Sequence, residues 1–268
     1  MPNSVPNCLV IQHVAPEPAF AIAEALSGAG VGIDTRRVFA GDGVPADGTG
    51  FEGLVVMGGP ISAASDDGFP TRAAEIALIA SALERGMPVL GVCLGAQLLA
   101  AAGGGLVFPG ASGPEVGWGG VELAPGPCSD DPLFFGLPGA GAGALTVMHW
   151  HGETFDLPAG AVRLMGNSNY VNQGFRLGPA AWGLQFHLEV TAAAVEGFLS
   201  AFAADAEVAV GGPEAIRAAT PGALASLAEA RDLVLGRFAA LVADGVGGDG
   251  VEGTAGQVSG TARTKLPA

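Results

Sequence analysis

The chain has 268 residues, 49% of them hydrophobic, which is enough apolar material for one large core or two small ones. Eleven basic residues stand against 26 acidic ones, a net charge of −15, so nucleic acid is repelled and excluded as a partner. The single lysine, Lys265, lies near the C-terminus and leaves none for a P-loop or a Schiff base; three cysteines without a CxxC pair argue against a zinc ribbon and suit a reducing, cytoplasmic compartment.

The first predicted strand, "CLVIQHV" (8–14), is too short and too polar, with Gln12 and His13, to belong to a signal peptide. A helix over 18–29 follows, then strands "VGIDTRRVF" (31–39) and "GLVVMGG" (53–59). Next come a helix over 70–86, with Ile76, Ile79 and Leu83 at helical spacing, and a strand "PVLGV" (88–92). Nearly continuous apolar strands alternating with helices predict a mostly parallel α/β sheet flanked by helices on both faces. The charge-free run 86–108 is long enough to resemble a membrane span, but its glycines and Pro88 divide it into strand, turn and helix, so no membrane segment is expected.

From Leu106 the texture changes to short strands separated by Gly, Pro and Asn: "LVF", "GWGGVEL", "ALTVMHW", "AVRLMGN", "NQGFRLG" and "AWGLQFH". Their spacing predicts hairpins that continue the same sheet as an antiparallel or mixed extension. Helices return over 191–204 and 223–242, the second with Leu224, Leu227, Val234, Phe238 and Leu241 along one face. The expected division is a domain over 1–205, a helical extension packed on it over 206–245, and a Gly-rich disordered tail over 246–268.

One stretch carries chemistry. In "PVLGVCLGAQLLAAAGGG", Cys93 stands between Gly91 and Gly95 where a strand meets a helix. An isolated cysteine is ordinarily a small buried hydrophobe, but strand, G-x-C-x-G, helix is the pattern of a nucleophile elbow. The sharp turn needs neighbours without bulk, and the first N–H groups of the helix favour a thiolate and offer donors to an oxyanion. A base is available in "LQFHLEV", where His187 and Glu189 sit two apart, so in an extended segment they face one side and the carboxylate can fix the imidazole tautomer. Cys8 and Cys128 lack such surroundings and read as structural. Gly-Gly-Pro at 58–60 is by itself a strand-ending turn, Trp118, Trp150 and Trp182 read as core or pocket walls, and His149 with His151 lacks two further metal ligands. No metal is expected.

Taken together, "MGGP" (57–60), "GVCLGAQLLA" (91–100), "PEVGWGGVEL" (114–123), "HWHGETF" (149–155) and "NQGFRLGPAAWGLQFHLEV" (172–190) resemble, in order and spacing, the class I glutamine amidotransferases. The similarity covers about 8–205 and is greatest to the stand-alone, GMP-synthetase-like members. It implies a flavodoxin-like fold, with Cys93 as nucleophile, His187 as general base and acid, and Glu189 orienting it. The same resemblance assigns the oxyanion hole to the N–H groups of Gly59 and Leu94, and glutamine contacts to Gly58, Gln97, His151, Gly152 and Glu153. It implies no cofactor, a small-molecule substrate, and a separate synthetase partner to use the ammonia. The family's H-P-E is His187-Leu188-Glu189 here, which removes the restriction that proline places on the histidine. Two other readings stay open: hydrolysis of γ-glutamyl conjugates, and an inert interaction protein that keeps the fold.

Overall fold

A computed structural model describes residues 5–137 and 144–245. Its first half alternates as β1 (Asn7–Gln12), α1 (Phe20–Gly28), β2 (Gly32–Arg37), β3 (Gly53–Val56), α2 (Arg72–Glu84), β4 (Val89–Val92) and α3 (Leu94–Ala102). There follow β5 (Val107–Pro109), β6 (Glu115–Leu123), a short α4 (Pro125–Ser129), β7 (Ala144–His151), β8 (Glu153–Phe155), β9 (Val162–Gly166), β10 (Gly174–Leu177) and β11 (Ala181–Leu184). The chain then turns helical in α5 (Ala192–Ala201), α6 (Ala203–Ala206) and α7 (Gly212–Asp244).

Nine strands form one sheet in the order β2-β1-β3-β4-β11-β10-β9-β6-β7. From β2 to β11 neighbours run parallel; β10, β9, β6 and β7 continue it antiparallel. Every residue of β3, β4 and β11 is buried, as strands covered on both faces require, whereas the edge strand β2 carries the half-exposed Arg36–Asp34 pair. The run 86–108 is divided among β4, α3 and β5, and no described helix is long and apolar enough to cross a membrane.

Three boundaries differ from the pattern reading. "LVF" does not join the main sheet: β5 pairs with β8 in a separate two-stranded sheet, because Gly105, whose Cβ would meet the Asp156 carbonyl, brings the chain close to the segment after β8. The helix expected over 191–204 breaks at Phe202 (φ −120°, ψ 44°) into α5 and α6. The last helix begins at Gly212, ahead of Thr220-Pro221-Gly222, which reads as a stop. It continues because burial outweighs the local penalty: Ile216 and Thr220 are already buried on the face that Leu227, Val234 and Phe238 extend, and α7 packs along α1 and α5. Thr220 Oγ1 donates to the Ile216 carbonyl at 2.8 Å and accepts from Trp118 Nε1 at 2.9 Å, tying this turn to β6. The tail over 246–268 lies outside the described residues.

Candidate active site

The candidate residues gather at the carboxyl ends of β1, β3, β4 and β11, where open α/β sheets place their ligands. Between β4 and α3, Cys93 has φ 51° and ψ −106°, a left-handed conformation that costs a non-glycine residue free energy. The flanking glycines are forced by contact. A Cβ on Gly91 would run into the Gly95 carbonyl, and one on Gly95 into the Val56 carbonyl, so α3 can fold back onto β4 and β3 only where both side chains are absent. The strained residue is pinned by its own N–H, which donates to the Leu184 carbonyl at 2.7 Å. Cys93 Sγ donates to the Trp150 carbonyl at 3.6 Å and accepts from Gln185 Nε2 at 3.7 Å.

His187 lies beyond the end of β11 in a bridge to β7: its N–H donates to the Met148 carbonyl at 2.8 Å, and the Met148 N–H returns to the His187 carbonyl at 3.2 Å. This bridge supplies the restraint that the family's proline would give, and the leucine in its place is 3% exposed in the core. The His187 Nδ1–H donates to Glu189 Oε1 at 2.7 Å, leaving Nε2 unclaimed by that pair, and His187 and Cys93 border the same cleft. Burial alone would lower the His187 pKa, but the Glu189 carboxylate and the Cys93 sulfur more than reverse this and hold it well above the ordinary histidine value. The pair therefore favours an imidazolium beside sulfur.

Gly59 and Leu94 sit side by side: the Cβ position of Gly59 lies 3.2 Å from Leu94 Cδ2. In the backbone network of the described residues the Gly59 N–H has no partner, and Leu94 opens α3, so its N–H has no acceptor within the helix. A cleft of about 380 Å³ is bordered by Cys93, His187, Gly59, Gln97, Glu153 and Glu17. Gln97 donates to Gln185 Oε1 at 3.1 Å; Glu153 accepts from Ser62 Oγ at 2.5 Å; His151, also on the cleft wall, faces the Glu153 carbonyl with Nδ1 at 3.0 Å. Gly152 borders the cleft, its carbonyl accepting from the Gly110 N–H at 2.8 Å. Gly58 stands behind the wall, its carbonyl turned to His13 Nδ1 at 3.1 Å while His13 Nε2 meets the buried Glu75 at 2.7 Å.

Sequence reasoning passed over Gln185, Glu17, Glu115 and the Trp150 carbonyl. Only Gln185 left a local signal, since it precedes His187 by two and so shares its face. Glu115 reaches the H-x-H pair across the strands: it pairs with His151 in register, and its Oε2 is 3.2 Å from His151 Nε2 and 3.5 Å from His149 Nδ1. These are the described residues best arranged to ligate a cation, but the carboxylate already accepts from Asn167, Asn169 and Gln173, and a metal would have to displace those amides. Burial pushes Glu115 up, yet the donors around it, His151 first, hold its pKa at about 2; burial pushes His149 down to about 4. The other thiols are set apart: burial, with Glu52 nearby, raises Cys8 to about 12, and burial raises Cys128 to about 11.

Residues 20–202 match the family model described as glutamine amidotransferase class-I. A glutamine amidotransferase-like protein of Salmonella typhimurium, YfeJ, is 33% identical over 195 residues, 70% of this chain and 78% of that protein. A glutamine-hydrolyzing GMP synthase subunit of Methanoculleus marisnigri is 35% identical over 145 residues, 53% of this chain and 67% of that protein. Among solved structures, a glutamine amidotransferase from Thermotoga maritima superimposes with a TM-score of 0.75 at 28% identity, covering 88% of this chain and 99% of that one.

Proposed function

The chain belongs to the class I glutamine amidotransferase family, and on that premise we propose that it hydrolyses the side-chain amide of glutamine through a γ-glutamyl thioester on Cys93. The observation that carries this reading is the strained Cys93 at the mouth of α3 on one cleft with His187, itself paired with Glu189. Sulfur adds to the amide carbonyl, and the oxyanion is held by the N–H groups of Gly59 and Leu94. The C–N bond then breaks as His187 gives its proton to the nitrogen, and ammonia leaves. Water, deprotonated by His187, adds to the thioester and expels the thiolate, releasing glutamate. Glu189 holds the imidazole in one tautomer throughout and favours its cationic form.

Free thiols at Cys8, Cys93 and Cys128 support a reducing, cytoplasmic setting. A separate synthetase would use the ammonia, in line with the name of the Methanoculleus relative, which is one subunit of a synthase. One observation favours a second reading, cleavage of larger γ-glutamyl conjugates: besides Cys93 and His187 the cleft is lined by Trp150, Phe202, Asp205 and Val208, more wall than a glutamine side chain needs. Glutamate release from glutamine and a panel of γ-glutamyl amines, wild type beside Cys93→Ala, decides between the two, with activity absent from the variant in either case. A glutamine-analogue electrophile should add mass at Cys93; an unlabelled Cys93 would leave only the inert interaction protein.

A further inference from the structure

Glu17 lies in the loop between β1 and α1, outside every motif that carries the family resemblance. It is 5% exposed, and its Oε2 has no hydrogen-bond partner among the described residues, yet it borders the same cleft as Cys93 and His187. A buried carboxyl oxygen without a donor is costly, so the fold keeps it against a penalty. Its position depends on Gly58. A Cβ there would run into Glu17 Oε2 and come within 3.1 Å of His187 Cε1, so the missing side chain is what lets the carboxyl face the imidazole edge. That edge lies between the two ring nitrogens, and Nδ1 is taken by Glu189. Nε2 is therefore the ring nitrogen left for the reaction, and Glu17 borders the same cleft as that ring. The N–H donors for the oxyanion belong to other residues, Gly59 and Leu94. A carboxyl on the cleft wall shared with that ring offers an acceptor for the atom that leaves.

We propose that Glu17 receives the departing nitrogen: its carboxyl oxygen accepts an N–H of the scissile amide in the tetrahedral intermediate and keeps that hydrogen bond as ammonia forms. The inference rests on the glutamine-hydrolysing reading of the site. Electrons of the C–N bond go to nitrogen, the proton comes from His187, and Glu17 neither gains nor loses a covalent bond. Burial, with Glu189 adding to it, raises the Glu17 pKa, while His187 and His13 oppose the rise; in either protonation state one oxygen remains an acceptor. A leaving group without an N–H gains nothing from this residue.

That difference is the test. Glutamine and the γ-methyl ester of glutamate pass through the same thioester but expel ammonia and methanol, so kcat/KM for both is measured in wild type, Glu17→Leu and Glu17→Gln. Glu17→Leu should lose about tenfold or more on glutamine, the size of one hydrogen bond to a reacting group, while the ester changes by no more than about twofold. Glu17→Gln keeps an acceptor oxygen and should stay within about threefold of wild type on glutamine. Equal losses on both compounds, as a purely structural residue would give, or no loss on either, overturn the proposal. Wild type inactive on both compounds would defeat the hydrolytic reading itself, and the role of Glu17 with it.

Discussion

Gly95 shows how far a single hydrogen decides this site. Its missing Cβ is the space occupied by the Val56 carbonyl, a backbone atom that cannot rotate away. Gly95→Ala should therefore destabilise the chain by about 2–3 kcal/mol through overpacking, seen as a lower Tm, and should also shift Cys93 and reduce activity in the fraction that folds. A second residue-scale effect is acid sensitivity at His149. Its folded-state pKa of about 4 lies below the ordinary 6.5, so unfolding takes up a proton as pH falls between those values. Stability is then whole above pH 6.5 and eroded below it, by roughly 2 kcal/mol at pH 5, a slope that urea unfolding should show in wild type and lose in His149→Leu. Glu115, depressed to about 2, adds a later loss between pH 4.5 and 2. His187 works in the opposite window: its raised pKa gives a contribution fully present below pH 6.5 and lost as pH rises through the folded value. The turn at Cys93 and the His187–Glu189 pair were legible at this scale because each is local, a strand-to-helix pattern and an i, i+2 relation, whereas their meeting on one cleft is not. Glu17 and Glu115 were not, since nothing near them in the chain marks the strands they will meet.

At the scale of elements, the segment after β11 carries more than its sequence suggests. With leucine in place of proline, the rigidity of His187 comes from the bridge to Met148 and from burial of Leu188 among the core residues. Leu188→Ala should cost about 2–4 kcal/mol by leaving a cavity beneath that bridge, and, on the proposed mechanism, it should lower kcat more than it raises KM, because substrate contacts stay while His187 is loosened. Stability from urea unfolding and steady-state kinetics on one preparation check both halves. Helix α7 shows the limit of local signals. Thr220-Pro221-Gly222 is a sound stop in isolation, but the face running from Ile216 to Val242 is buried along α1 and the sheet, and that burial carries the helix through. The helix over 191–204 fails in the other direction, breaking at Phe202 so that its ring packs on Trp150 and Phe198.

Across the whole molecule, burial sorts the thiols. Cys8 and Cys128 are enclosed and their pKa values raised to about 12 and 11, whereas Cys93, of the three, borders the cleft. Iodoacetamide at neutral pH should thus add one group to the native chain, mapped to Cys93 by mass spectrometry, and three after denaturation; early labelling of Cys8 or Cys128 would contradict the arrangement. The alternation of apolar strands and helices, the switch to hairpins after Leu106 and the G-x-C-x-G turn were determined by the sequence alone, because periodicity and steric clearance act over a few residues. The tertiary structure decided the rest: which strands adjoin, that β5 leaves the main sheet, that Met148 braces His187, and that Glu17 comes to lie beside the imidazole. Those juxtapositions arise from closing long loops around a shared core, and their free energy resides in contacts between segments that carry no mark of each other in the chain.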